Sequence, residues 1–190
     1  MRNLKRALSL ALASVMLLGM MVVGSSAKGL DDFSDNAEIV NKDAVSMLVS
    51  LGIIEGKPDG SYGPTENVDR AQMAKMLSVI MNKGVDNSAL YQSVNSGLVD
   101  VNTNWAKGHI NYCYTTGIIA GRGNGKFDPA ATVTGNEAAK MLLVAAGYDA
   151  QLEGLTGADW AIKTASLAST LGIFDNLSVA TSDPLTRDNA

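Results

Sequence analysis

The chain has 190 residues, 46% of them hydrophobic, which suits one or two globular domains. Its formal charge of −4 makes nucleic acid a poor candidate partner, because affinity for phosphate backbones requires a basic face. The single cysteine, Cys113, excludes an internal disulfide, and the single histidine, His109, excludes a metal site built from several histidines. We expect Cys113 to be a small buried hydrophobic residue.

The first 27 residues have the pattern of a secretory signal peptide. Three basic residues within the first six precede an apolar, uncharged segment, residues 7–23, and the small residues Ser25, Ser26 and Ala27 follow. An apolar segment of this length is at the short end for a membrane span. We therefore favour cleavage after Ala27 over a retained membrane anchor. Cleavage removes three basic residues and leaves 12 basic against 19 acidic residues, a charge of −7.

The rest of the chain repeats itself. Residues 33–81 align with residues 98–146 at a shift of 65 without a gap, and the match then continues at a shift of 55. A three-residue deletion in the third copy brings Thr134 opposite Thr186 at a shift of 52. Agreement in order and spacing at this many positions indicates a tandem array.

Each copy predicts a helix, a loop and a second helix from its apolar spacing. First helices are predicted at residues 38–51, 105–116 and 158–171, and second helices at residues 69–82 and 134–146. Each first helix meets a glycine (Gly52, Gly117 or Gly172), where we predict a left-handed C-terminal cap. The Ile-Ile or Ile-Phe pair that follows is a candidate β-bridge, and a glycine-rich loop comes next.

The second helices begin with a repeated capping signal. Asp69 stands three residues before Gln72, and Thr134 stands three residues before Glu137, which is capping-box spacing. One helix pair is too small to form a core, so the repeats must pack on each other.

We therefore predict a mainly α fold of tandem helix-loop-helix repeats. The repeats and their linkers occupy residues 28–97 and 98–157, and a partial third repeat occupies residues 158–190. The first two copies continue for at least ten residues past the position equivalent to Ala190. We expect the sequence to be the amino-terminal part of a longer protein.

The repeated pattern combines Trp-Ala, Gly-Ile-Ile-x-Gly, Asp/Asn-Gly-x-aromatic, a proline and Thr-Arg. Over residues 33–190 it resembles the S-layer homology (SLH) module of bacterial cell-surface proteins. The resemblance implies a pseudo-threefold bundle that binds secondary cell-wall polysaccharide, often through pyruvylated amino sugars. The family's Thr-Arg-Ala-Glu signature corresponds to residues 69–72, 134–137 and 186–189.

The chain departs from this family pattern at two positions. Gly135 stands where the family has its ligand-binding arginine, so that groove is expected to be weak or empty. Val40 stands where the family has a tryptophan, whereas Trp105 and Trp160 match it.

Arg70 and Arg187 are the first candidates for ligand binding. Both fall at a first helical position, where the helix dipole disfavours a cation by roughly 0.3–1 kcal/mol. A guanidinium there can hold a carboxylate bidentately beside free backbone N–H groups. The alternative is pairing with an acid of a neighbouring repeat, such as Asp35 or Asp100. The resemblance favours the ligand role.

Four further residues are candidate walls of a glycan site. Trp105 and Trp160 could stack on a sugar ring or simply pack at the first turn of a helix. Lys57 and Arg122 occupy equivalent places at the rim of the glycine-rich loops. The loop at residues 121–125 lacks a preceding strand and a Gly-Lys-Ser/Thr ending, so it does not predict a phosphate-binding loop.

The acidic residues of the repeats predict no metal site. The loops at Asp59 and Asn124 lack the alternating oxygen ligands and final Glu of a calcium loop. Asp35 and Asp100 are expected to cap the following helix or to connect repeats. No combination of residues suggests catalysis, and none calls for a cofactor.

The sequence thus predicts a non-catalytic module of the cell wall that tethers an exported protein to secondary cell-wall polysaccharide or another peptidoglycan-linked glycan. One alternative is a structural S-layer subunit that acts mainly by self-association. Another is the anchor of a surface hydrolase whose catalytic part lies outside this sequence.

Overall fold

The computed structural model describes residues 29–190, so the predicted signal peptide lies outside the described residues. The described part contains five α-helices: α1 Lys42–Ser50, α2 Arg70–Met81, α3 Lys107–Thr115, α4 Gly135–Ala145 and α5 Trp160–Thr170. Short 3-10 helices lie at Leu30–Asp32, Asn36–Glu38 and Ser88–Tyr91. None of the helices described has the length and apolar character needed to cross a membrane.

The second helices start as the capping signals predict. In α2 the Asp69 carboxylate accepts a hydrogen bond from the Gln72 amide at 2.7 Å, and the Asp69 amide donates to the Gln72 side chain at 3.0 Å. Thr134 and Glu137 form the same reciprocal pair at the start of α4. Each pair satisfies two amides that the first helical turn leaves free.

The predicted left-handed caps are also confirmed. Gly52, Gly117 and Gly172 have φ angles of +68°, +79° and +74° and follow α1, α3 and α5. After Gly52, the Ile53 amide turns back and donates to the Leu48 carbonyl at 2.9 Å. The prediction that the Ile-Ile pair forms a β-bridge is wrong, because its first amide is used to close the helix.

The β-bridges between repeats lie instead in the segments around Val68, Val133 and Leu185, where backbone hydrogen bonds form a closed ring; one further bridge, between Gly123 and Lys126, lies within the loop of the second repeat. The Val68 amide donates to the Leu185 carbonyl at 2.9 Å, the Leu185 amide to Val133 at 2.8 Å, and the Val133 amide to Val68 at 3.0 Å. All three side chains are buried. One extended segment from each repeat thus meets at the centre, which confirms the predicted mainly α, pseudo-threefold bundle.

The helices pack across the repeat boundaries: α2 lies against α3, and α4 lies against α5. In the first contact Cys113 is fully buried and its thiol donates to the Ala74 carbonyl at 3.4 Å. Burial raises the pKa of this thiol to about 12. Cys113 is therefore the buried hydrophobic residue that the sequence predicts, and it is inert as a nucleophile near neutral pH.

The third repeat also holds the first repeat. The Asp188 carboxylate accepts hydrogen bonds from the Val40 and Asn41 amides, both at 3.1 Å, and from the Asn41 side chain at 2.9 Å. The start of α1 is thereby fixed by a turn that lies almost 150 residues away in sequence.

Candidate functional site

Arg70 lies at the first position of α2, as predicted, and its side chain enters the second repeat. Its Nε donates to the Phe127 carbonyl at 2.9 Å, and its Nη2 donates to the Ala120 carbonyl at 2.7 Å. The guanidinium carbon lies 4.3 Å from the centre of the Phe127 ring. Only 3% of Arg70 is exposed. Burial, with the nearby Arg122 charge, lowers its pKa to about 10, so it remains a cation at neutral pH.

Arg187 makes the same contacts in the first repeat. Its Nε donates to the Tyr62 carbonyl at 2.7 Å, its Nη2 donates to the Glu55 carbonyl at 3.0 Å, and its guanidinium carbon lies 4.8 Å from the Tyr62 ring centre. Each arginine thus connects two repeats through main-chain oxygens. Two of the five N–H donors of each guanidinium are used in this way, and the charge has no carboxylate partner among residues 29–190.

The alternative that these arginines pair with Asp35 or Asp100 is therefore wrong. Asp35 accepts the Tyr62 and Gly63 amides at 2.7 and 2.8 Å, and Asp100 accepts the equivalent pair in the second repeat. Burial alone would raise the pKa of Asp35, but these hydrogen bonds outweigh it and lower the pKa. Neither carboxylate caps the following helix; each one holds the glycine-rich loop of its own repeat.

The loop and second helix of the first repeat form one wall of a cavity of about 200 Å³, which we call groove 1. Lys57 and Glu55 come from the loop and Lys75 from α2. Trp105 is contributed by the second repeat and Arg187 by the third. Groove 1 is therefore built from all three repeats.

A second cavity of about 200 Å³, groove 2, has the same design one repeat further along. Arg122 and Ala120 come from the loop, Lys140 from α4, Trp160 from the third repeat and Arg70 from the first. The six site residues predicted from the sequence thus fall into two sets of three. Sequence alignment could not assign them, because each groove takes its loop, tryptophan and arginine from different repeats.

The tryptophans reach these grooves because each second helix packs on the first helix of the next repeat. Trp105 precedes α3 and is 59% exposed in groove 1. Trp160 is the first residue of α5 and is half-buried, with the Lys140 ammonium 5.2 Å above the centre of its ring. The large exposure of Trp105 favours ligand contact over simple packing, because a tryptophan that serves only to pack buries most of its ring.

Cations line both grooves in this acidic chain. Lys57 forms an ion pair with Glu66, and Arg122 forms one with Glu137. Sequence reasoning missed the helix lysines, Lys75 and Lys140, although they occupy equivalent positions in the repeat alignment.

A third cavity of about 350 Å³, groove 3, lies at the remaining junction and differs from grooves 1 and 2 at the arginine, loop-cation and tryptophan positions. Gly135 occupies the arginine position, Leu177 the loop-cation position and Asp175 the position of Glu55 and Ala120. Val40 replaces the tryptophan. No lysine or arginine among the described residues lines groove 3.

A serine, a histidine and an acid come together outside these grooves. Ser78 Oγ lies 2.6 Å from His109 Nδ1, and Asp86 lies 3.7 Å from His109 Nε2. Ser78 and His109 are both buried, and the Ser78 hydroxyl also faces the Lys75 carbonyl at 2.9 Å. These contacts join the linker that carries Asp86 to α2 and α3, and the three residues line none of the three grooves.

Within residues 29–190, no group of three or more His, Cys, Asp or Glu side chains is arranged to hold a metal ion. The Asp59 carboxylate is engaged locally, since it accepts the Ser61 amide at 2.9 Å and the Ser61 hydroxyl at 2.7 Å.

Two segments of the chain, residues 32–74 and 99–139, match the family model described as S-layer homology domain. The chain is 31% identical to a cell surface protein of Thermoanaerobacter kivui, over 95% of this chain and 23% of the relative. It is 32% identical to an S-layer protein of Bacillus licheniformis, over 70% of this chain and 15% of the relative. It is 35% identical to endo-1,4-beta-xylanase A of Thermoanaerobacterium saccharolyticum, over 53% of this chain and 8% of the relative. The chain thus spans less than a quarter of the length of each of these relatives.

Proposed function

The chain belongs to the S-layer homology domain family, and from that premise we propose that it is a non-catalytic module that anchors a protein to the bacterial cell wall. In this proposal grooves 1 and 2 bind an anionic secondary cell-wall polysaccharide, with the carboxylate of a pyruvylated sugar as the recognised group. Groove 3 does not take part.

The observation that carries the proposal is the charge of the two grooves. Groove 1 contains Lys57, Lys75 and Arg187, in a chain with a formal charge of −4. Groove 2 contains the equivalent trio Arg70, Arg122 and Lys140. Each lining also contains one carboxylate, Glu55 or Glu137, so cations are in excess in both grooves. An exposed tryptophan beside clustered cations suits a ligand with both a sugar ring and a carboxylate, since the ring can stack and the cations can bind the anion.

The relatives support an anchoring role that is independent of the attached protein. S-layer proteins and a xylanase share similarity with this chain over a small part of their own length. A segment shared by proteins of such different names is better suited to attachment than to chemistry. Location at the cell surface follows from the same proposal.

The test is retention of the purified chain on wall glycan, before and after removal of pyruvate ketals by mild acid. Four substitutions remove the rim cations without touching the two structural arginines: Lys57→Met, Lys75→Met, Arg122→Met and Lys140→Met. We expect retention on the intact glycan and loss of most of it both in the quadruple variant and on the treated glycan.

The control for loss of charge removes four other cations, Lys42→Met, Lys83→Met, Lys126→Met and Lys163→Met, because these lysines are exposed and line neither groove. Circular dichroism and the melting temperature verify the fold of each variant. Equal retention of the quadruple variant and the control would contradict binding at the grooves.

A further inference from the structure

Grooves 1 and 2 use equivalent positions of the repeats, but their walls differ at several of them, among them Gln72 against Glu137 and Glu55 against Ala120. Position 55 is glutamate in groove 1, and its equivalent in groove 2, position 120, is alanine. In both grooves the backbone carbonyl of this residue accepts the arginine Nη2. The side chain is exposed in both cases and is free to vary without disturbing that bond.

This difference changes which group lies nearest to the ammonium of the second-helix lysine, which is Lys75 in groove 1 and Lys140 in groove 2. In groove 1 the Lys75 ammonium lies 2.9 Å from the Glu55 carboxylate. In groove 2 no carboxylate of the described residues pairs with Lys140, whose ammonium lies over the Trp160 ring at 5.2 Å. Lys140 is half-buried, and burial lowers its pKa, which reflects a charge that lacks a compensating anion.

The loop cations do not offset this difference, because both are already paired, Lys57 with Glu66 and Arg122 with Glu137. Two of the three cations in groove 1 are therefore held by carboxylates, against one of three in groove 2. An anion entering groove 1 must displace or approach Glu55, and like charges repel.

Groove 2 also has a carboxylate in its lining, but that carboxylate, Glu137, is held by Arg122 and by the Thr134 amide. An anion entering groove 2 therefore meets the partly desolvated Lys140 ammonium, which no carboxylate of the described residues pairs.

We propose that groove 2 is the tighter carboxylate site of the chain and that the residue at position 55 or 120 sets the affinity of each groove by pairing, or failing to pair, the helix lysine. This inference rests on the proposed function. It assigns Glu55 as a competitor of the ligand carboxylate for Lys75, and it makes Lys140 the cation that contributes most to binding.

The two tryptophans allow each groove to be followed separately, because the chain has only two and each lines one groove. The experiment is a titration of the 15N-labelled chain with a methyl glycoside of an N-acetylhexosamine that bears a pyruvate ketal. The indole N–H signals of Trp105 and Trp160 report dissociation constants for groove 1 and groove 2. The same glycoside without the ketal is the control ligand.

The matched pair of variants exchanges the residues at positions 55 and 120. In the unmodified chain we expect the Trp160 signal to report the lower dissociation constant. Glu55→Ala should tighten groove 1 by about threefold, and Ala120→Glu should weaken groove 2 by about threefold, which is the scale of one exposed ion pair. Each substitution should leave the other groove unchanged.

The outcomes separate this inference from the proposed function. If both indole signals respond to the ketal-bearing glycoside but neither exchange moves its own dissociation constant, the role of Glu55 is refuted and glycan binding stands. If the Trp105 signal reports the tighter site, the ranking of the grooves is refuted. If neither indole responds in a folded chain, both proposals fail.

Discussion

Grooves 1 and 2 differ from groove 3 in the side chains at three matching positions, those of the arginine, the loop cation and the tryptophan. All three lie where a loop of one repeat meets its neighbours, and the central ring treats the three repeats alike. Yet groove 3 has Gly135 in place of the arginine and Leu177 in place of the loop cation. The fold therefore does not require the arginine at every junction, and we propose that the cations of grooves 1 and 2 serve ligand binding.

The packing around Gly135 shows which contact takes the place of the arginine contact at groove 3. The chain at Thr181 closes over it, and a Cβ at Gly135 would lie 3.0 Å from both the Cα and the carbonyl oxygen of Thr181. The Asn136 amide also donates to that carbonyl at 2.7 Å. The three-residue deletion in the third loop thus replaces an arginine contact with a direct backbone contact.

The largest effect is expected from Arg70→Ala. The substitution leaves the Phe127 and Ala120 carbonyls without their donor and empties a buried space, so the free energy of unfolding should fall by about 3 kcal/mol. Arg187→Ala should cost about half as much, because Arg187 is only half-buried. Urea unfolding of the two variants measures both values. Equal losses would contradict the difference in burial between the two arginines.

A smaller effect is expected from Gly135→Ala, which tests the crowding at groove 3. The added methyl group must push back the Thr181 backbone, so we expect a loss of about 1–2 kcal/mol. Gly29→Ala is the matched control, because a Cβ there meets nothing closer than 4.0 Å. Thermal unfolding compares the two, and a stability gain in Gly135→Ala would argue against the close contact.

The smallest expected effect is on the pH dependence of stability. It arises beside groove 1 and has no counterpart beside groove 2. His109 lies in the α2–α3 contact beside groove 1, whereas the equivalent residue in the α4–α5 contact is the uncharged Thr164. Burial lowers the pKa of His109, with Lys75 acting in the same direction and Asp86 opposing it. The folded state therefore favours the neutral ring.

Stability should accordingly be highest above the unfolded pKa of about 6.5 and should fall as the pH drops from there through the folded pKa. The expected loss is small, because the Asp86 charge offsets part of the effect of burial on the His109 pKa. Melting temperatures between pH 7.5 and 5 measure it. The variant His109→Gln should lose this part of the pH dependence; an unchanged profile would mean that carboxylates account for all of it.

The local features of the fold could be predicted from the sequence. The capping pairs of Asp69 and Thr134 mark helix starts, and Gly52 marks a helix end, because each signal depends only on residues within one or two turns. The ring around Val68 could not be placed by such signals, since its partners lie more than 50 residues away and extended segments of two or three residues have no periodicity.

The candidate site was predicted in its residue types but not in its arrangement. Arg70, Trp160 and Arg122 are visible as repeat positions, but their meeting in one groove depends on how three repeats close on each other. The role of Asp35 was misjudged for a similar reason: its partners, the Tyr62 and Gly63 amides, are 27 and 28 residues away along the chain, beyond α1. Lys140 was overlooked because a lysine on a helix carries no motif of its own.

The closed ring of Val68, Val133 and Leu185 has a consequence for how the array comes apart. In a linear solenoid a terminal repeat has one neighbour and can fray alone. Here every repeat has two neighbours, so removing any one of them breaks two of the three central hydrogen bonds. Within residues 29–190 no repeat is left with a single neighbour, and we expect this part of the chain to unfold as a single cooperative unit.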